Sequence, residues 1–108
     1  MTASSSASLD AVFHALADPT RRVMLRSLAL DERSIGELAA PFAMSFAAAS
    51  KHVRVLEAAG LLVRRREGRS HICRIDPAAL KAAHQWLAFY EGFWDGRLAV
   101  PGDDTDQV

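Results

Sequence analysis

The chain has 108 residues, half of them apolar, with 13 basic side chains, 13 acidic ones and a single cysteine, Cys73. This suffices for one small domain with a modest core, and it excludes an internal disulfide framework and any CxxC zinc or redox motif. The zero net charge conceals an asymmetry: residues 51–74 hold seven Lys/Arg against two Glu, leaving six basic and eleven acidic residues elsewhere.

Such a basic segment suits a polyanionic partner, although a solvated charge run has the same composition. The opening "MTASSSAS" has neither the charged nor the apolar region of a secretory signal, and no apolar run approaches the roughly 18 residues that cross a bilayer. A cytoplasmic protein without a membrane partner is expected.

Residues 1–8 and the acidic segment at 99–108 read as disordered tails flanking one domain at 9–98. Leu9, Val12, Phe13 and Leu16 repeat at helical spacing up to "ADP". Asp18 then caps a second helix with Pro19 at its first position and Val23, Leu25 and Leu28 on its buried side. In "SIGELAAPF", Ser34 and Glu37 form a capping box and Pro41 ends a short third helix. After "PFAM", Ser45 caps and Gly60 stops a fourth helix over about 45–59, and so tight a connection between two helices makes a helix-turn-helix. "LLVRRREGRSHICRI", at 61–75, reads as a β-hairpin around a glycine tip. A last helix is predicted from Asp76 and Pro77 to about Leu98. The expected fold is mainly α: a winged helix-turn-helix with a two-stranded wing and a long C-terminal dimerisation helix.

On the fourth helix Phe46, Ala49, Val53 and Leu56 share one face, predicted to be the core side. Ala47, Ser50, Lys51 and Arg54 share another. The second face is short, polar and cationic, as insertion into a major groove requires: small residues for close approach, a hydroxyl and amines for base edges, and Lys/Arg for phosphates. An alanine-rich helix with an ordinary solvated face would read the same way. The hairpin strengthens the nucleic-acid reading by placing Arg64, Arg65, Arg66 and Arg69 around its tip, directly after this helix.

"ALADPTRRVML", "IGELAAPFAMS", "ASKHVRVLEAAGLLVRRREGR" and "IDPAAL" resemble, in order and spacing, the ArsR-type winged-helix transcriptional repressors of bacteria. The autorepressor-like branch, with a W-L-x-x-Y-E-x-F-W run, is matched at Trp86, Leu87, Tyr90, Glu91, Phe93 and Trp94. The resemblance covers residues 9–98 and implies a homodimeric, operator-binding regulator associated with the nucleoid. By position, Ser45, Ala47, Ser50, Lys51 and His52 correspond to the family's DNA-contacting helix, and Arg66 and Arg69 to its wing. Ala47 departs from a common proline and Ala49 from a common valine. His52 borders the DNA face, where base readout, a phosphate contact or a solvent-facing role all remain open.

Along the last helix two adjacent apolar tracks run, one through Trp86, Phe89 and Phe93, the other through Leu87, Tyr90 and Trp94. Together they cover a wider arc than a monomer of this size hides. Five of the chain's eight aromatic residues lie between 86 and 94, which favours a subunit interface, with Leu9, Val12 and Phe13 of the first helix as companions. A twofold dimer carries two recognition helices and calls for a palindromic duplex DNA site.

Many relatives release DNA on binding metal. The third-helix thiolate pair of arsenic and cadmium/lead sensors is absent here, and of the last-helix ligand set only Asp76, His84 and Glu91 are present, with Ala78 where the first His belongs. No metal site and no cofactor are expected, His84 reads as an exposed side chain and Cys73 as a buried structural thiol. No phosphate loop, GxSxG elbow or HExxH occurs, so an enzyme is not expected. Two alternatives remain: a metal- or ligand-responsive derepressor with an unrecognised site, and a winged helix used as a protein-interaction module.

Overall fold

Caps and turn glycines divide the chain. The computed structural model describes residues 2–94 and Gly96, with side chains from Leu9 onward. Helix α1 (Thr2–Leu16) contains neither Gly nor Pro, and its helical backbone includes the serine-rich segment for which composition suggests a tail. Val12 and Ala15 turn inward, almost wholly buried. The chain leaves α1 at Ala17, whose N–H donates to the His14 carbonyl at 3.2 Å. It enters α2 (Pro19–Leu30) at Asp18, whose carboxylate accepts from the Arg21 N–H at 3.0 Å. Met24, Leu25 and Leu28 form the buried side of α2, while Val23, predicted to be buried, is 50% exposed. Met24 and Leu28 lie one turn apart, so the buried stripe includes Met24 in place of Val23.

The two-residue strand β1 (Arg33–Ser34) leads into α3 (Ile35–Ala39). Here the capping box forms as the sequence predicts: Glu37 N–H donates to Ser34 Oγ at 3.1 Å, and Ser34 N–H donates to the Glu37 carboxylate at 2.8 Å. Helix α4 (Phe46–Ala58) starts at Ser45, whose Oγ accepts from the Ala48 N–H at 3.1 Å. It ends where Gly60 takes φ 77°. Leu61 N–H then returns to the Leu56 carbonyl and Gly60 N–H to that of Glu57, both at 3.0 Å, the two bonds of a Schellman stop. Leu56 and Leu61 are both fully buried beneath it.

Strands β2 (Leu62–Glu67) and β3 (Ser70–Ile75) pair antiparallel, from Leu62 opposite Ile75 to Glu67 opposite Ser70. Gly68, first of the two tip residues, has the left-handed φ of 60° that such a tight hairpin demands. The wing is more than the predicted two strands. β1 pairs along the other edge of β3, Arg33 opposite Cys73 and Ser34 opposite Ile72, giving a three-stranded antiparallel sheet in the order β1-β3-β2. Two residues are too few to show an alternating pattern, which is why sequence periodicity does not reveal β1.

The largest departure from expectation lies at the C-terminal end. In place of one long helix there are α5 (Ala78–Ala88) and the single turn α6 (Glu91–Trp94). Phe89 and Tyr90 separate them, their N–H groups donating three residues back, to Trp86 and Leu87, at 3.4 and 3.0 Å, the tightened bonding of a helix end. The aromatic cluster that follows, with Gly92 in its midst, has weak helix propensity. Residues 95, 97 and 98 of the predicted helix, and the acidic segment 99–108, lie outside the described residues. One core, including Val12, Met24, Leu38, Val53, Leu56 and Leu61, joins α1–α4 to the sheet, and Ala83 on α5 closes it. No described helix is long and apolar enough to cross a membrane.

Candidate nucleic-acid interface

Helix α4 presents two faces. Ala49, Val53 and Leu56 are fully buried, whereas Ala47, Lys51 and Arg54 are exposed and Ser50 is half-buried beside them. Phe46, predicted to be part of the core side, is 60% exposed. It occupies the first turn of α4, where the helix runs past the end of the core, and Ala49 one turn on already fills the inward position. Ser45 is exposed. Its oxygen accepts the capping bond, leaving the hydroxyl proton available to an external acceptor.

The His52 ring turns away from this face, toward the start of α2. Its Nδ1 lies 3.2 Å from the Arg21 guanidinium and 4.0 Å from the Asp18 carboxylate. Since a guanidinium only donates, Nδ1 accepts. Arg21 also donates to the Ala15 and His14 carbonyls, at 2.7 and 3.2 Å. One side chain thus ties the C-terminal end of α1 to α4. The Asp18 carboxyl is held below its ordinary value, first by the Arg21 backbone hydrogen bond and then, against partial desolvation, by the charge of Arg21. Sequence places His52 at the border of the groove face; the geometry assigns its ring to this bridge. The border placement follows from adjacency to Lys51 in sequence, but His52 lies about 100° further round the helix, and no pattern reveals Arg21 as its partner.

The wing divides its arginines. Arg64 donates twice to the Glu57 carboxylate, at 2.7 and 3.2 Å. This pairing holds the Glu57 carboxyl below its ordinary value and raises Arg64 above its own. Arg65 lies between Glu32 at 2.9 Å and Glu67 at 2.8 Å, and both raise its pKa. Beyond them Arg66, bonded through Nε to the Gly68 carbonyl at 3.2 Å, and Arg69 stand exposed at the tip. Lys51, Arg54, Arg66 and Arg69 form no ion pair among the described residues. Glu57 lies seven positions from Arg64 and Glu32 thirty-three from Arg65, pairings that sequence spacing does not expose, whereas Glu67 is two positions from Arg65 on the same strand.

Behind the wing Cys73 is fully buried, and burial pushes its thiol up. His14, His84 and Glu91 are exposed. Among the described residues no three His, Cys, Asp or Glu side chains are grouped to hold a metal ion.

On α1 and at the C-terminal end of α5, Phe13, Trp86 and Tyr90 form a chain of rings, with centroids 5.7 Å apart between Phe13 and Trp86 and 5.3 Å between Trp86 and Tyr90. Phe89 meets Tyr90 edge-on at 4.9 Å and Phe93 lies 6.3 Å from it. Much of this surface faces solvent: Trp86 is 47% exposed, Phe89 71% and Trp94 65%. Val12, grouped with these residues by its spacing, instead packs in the core, and Leu9 lies half-buried against it.

Residues 16–65 match the model of a helix-turn-helix domain. The HTH-type transcriptional regulator Rv2034 of Mycobacterium tuberculosis is 35% identical over 103 residues, spanning 89% of this chain and 94% of that protein. The crystal structure of the ArsR family transcriptional regulator RHA00566 superposes with a TM-score of 0.77 at 35% identity, covering 86% of this chain and 96% of that one. In fold the chain is also similar to the homodimeric winged helix-turn-helix DNA-binding domain of Mb0332 from Mycobacterium bovis, with a TM-score of 0.67 at 24% identity over 92% of this chain and 93% of that one. With the helix-turn-helix, the wing and near full-length similarity to such regulators, the chain belongs to the ArsR-type winged helix-turn-helix transcriptional regulators.

Proposed function

We propose that this protein is a homodimeric cytoplasmic repressor, not an enzyme, that binds a palindromic operator, seating α4 in the major groove and laying the wing along the neighbouring backbone. Ala47 and Ser50 approach base edges. Ser45, Lys51, Arg54, Arg66 and Arg69 contact phosphates, and His52 holds α4 against α2. The observation that carries this reading is that the four cations around the groove face and wing tip have no carboxylate partner among the described residues, while the two arginines at the wing's base do. A cation held ready for phosphate gains counterion-release energy only if no carboxylate already neutralises it.

Phe13, Trp86, Phe89, Tyr90, Phe93 and Trp94 form the twofold contact, with Leu9 at its margin. The homodimeric state of the Mycobacterium bovis neighbour is in keeping with this. No metal or cofactor is assigned.

Selection of bound duplexes from a random library, with and without zinc, tests the proposal. The expected result is one twofold-symmetric sequence with half-sites about 34 Å apart, bound roughly 10³-fold or more above random DNA and unaffected by zinc. A library that emerges without any enriched sequence would overturn the operator reading and favour a winged helix that binds an acidic protein surface.

A further inference from the structure

Phe46 is left outside the core in a place where the recognition helix meets the wing. It is the first residue of α4 and lies one turn before Ser50 on the same side-chain ridge. Phe46 lines a cleft of about 180 Å³ together with Ser34, Ile35, Gly36, Arg69, Ser70 and His71. The first turn of the helix and the returning strand of the wing therefore share one recess, with an apolar wall and a cationic wall.

The ring contributes little to the subunit's own packing. Ala49, Val53 and Leu56 complete the buried stripe of α4, and Phe46 remains 60% exposed beyond it. Nor does it belong to the aromatic cluster of α5 and α6, with which it forms no ring pair among the described residues. Its position selects its partner. A phenyl ring offers no conventional hydrogen bond and so cannot match the N7, O6, N6 or N4 groups of other bases, but thymine presents an apolar group, the C5-methyl, on its major-groove edge. Arg69 across the cleft is exposed and without a carboxylate among the described residues, as a contact to the same strand's phosphate needs.

We propose that Phe46 reads a thymine in each operator half-site through its C5-methyl group, with Arg69 on the adjoining phosphate. This rests on the operator reading above and adds to it one specificity-determining side chain and the base it prefers.

Replacing each thymine of the selected duplex in turn by deoxyuridine, which removes only the methyl, isolates the contact. At one symmetry-related position the wild-type protein is expected to lose about three- to tenfold in affinity, the value of one buried methyl in a tight site. The Phe46→Ala variant should bind the unmodified duplex more weakly by a similar factor and be indifferent to deoxyuridine there, and Phe46→Leu should keep part of the discrimination. Unchanged circular dichroism and melting of both variants would confirm that the exposed ring is not needed for folding. The proposal is overturned if no thymine shows a methyl effect, if Phe46→Ala remains as sensitive as wild type, or if the selected half-site has no thymine. Failure to enrich any sequence would instead remove the operator reading on which the proposal stands.

Discussion

At the wing tip Arg66 and Arg69 stand in water; along α5 and α6 Trp86, Phe89 and Trp94 do. The first exposure is nearly free of cost, because a solvated guanidinium loses nothing by waiting and a surface ion pair would contribute little. The second is unfavourable, since each square ångström of apolar surface left in water forgoes about 25 cal/mol. A cationic surface therefore suits a partner that comes and goes, while an aromatic one suits a partner that stays. The two ends thus divide the proposed function: a permanent subunit contact through α1, α5 and α6, and a reversible, salt-sensitive contact through α4 and the wing.

The sharpest way to break this comparison is to make the aromatic end polar. Trp86→Asp with Tyr90→Asp should raise the dimer dissociation constant by at least about 100-fold, as loss of two interface anchors does, and operator affinity should fall with it. Sedimentation equilibrium measures the first effect and titration of the selected duplex the second. Both side chains are more than a third exposed, so the monomer should stay folded. A double variant that remains a dimer would mean the permanent contact lies elsewhere.

At the cationic end the comparison sharpens within the wing itself. Arg66→Ala with Arg69→Ala should weaken binding to all DNA sequences and make the slope of log K against log salt shallower by about 2. Arg64→Ala with Arg65→Ala should leave that slope close to wild type, because those guanidiniums are already held by Glu57, Glu32 and Glu67. Equal slopes for the two double variants would show that ion pairing does not sort the wing's arginines.

The elements marked by local chemistry are legible in the sequence. Asp18, Ser34 with Glu37, Ser45 and Gly60 each act within a few residues of themselves, and each caps or stops a helix where its side chain or φ requires. What sequence does not convey is set by distant partners or by where the core ends. β1 exists because β3 passes beside it. Phe46 keeps helical spacing with Ala49 and Val53 but lies beyond the core's edge, and Val12 is drawn inward by α1's own packing. His52 and Arg64 look alike as members of a basic segment until the fold brings Arg21 and Glu57 to them. The break after α5 follows from aromatic residues whose apolar periodicity suggests a helix and whose propensity does not support one.

The smallest effect tests the boundary between the quenched and free arginines. Arg64 lowers the Glu57 pKa first through its hydrogen bond and then through its charge, with a lesser contribution from His71, all against partial desolvation. A carboxyl whose folded pKa lies below its unfolded value stabilises the fold above that unfolded value, about 4.3 for Glu, and the stabilisation disappears as pH falls through the folded pKa. The Glu57 side chain is 39% exposed, so screening limits the contribution to a few tenths of a kcal/mol, at most about 1 kcal/mol. Glu57→Gln should therefore be slightly less stable than wild type to urea at pH 7, with the gap closing progressively below about pH 4.3. The same substitution frees Arg64, which lies on β2 below the tip, so the salt slope of DNA binding should steepen by up to about 1 if the guanidinium then reaches a phosphate. A stability gap equal at both ends of that pH range would show that Glu57 acts through packing. An unchanged slope would show that, of the wing's basic run, only Arg66 and Arg69 meet the DNA backbone.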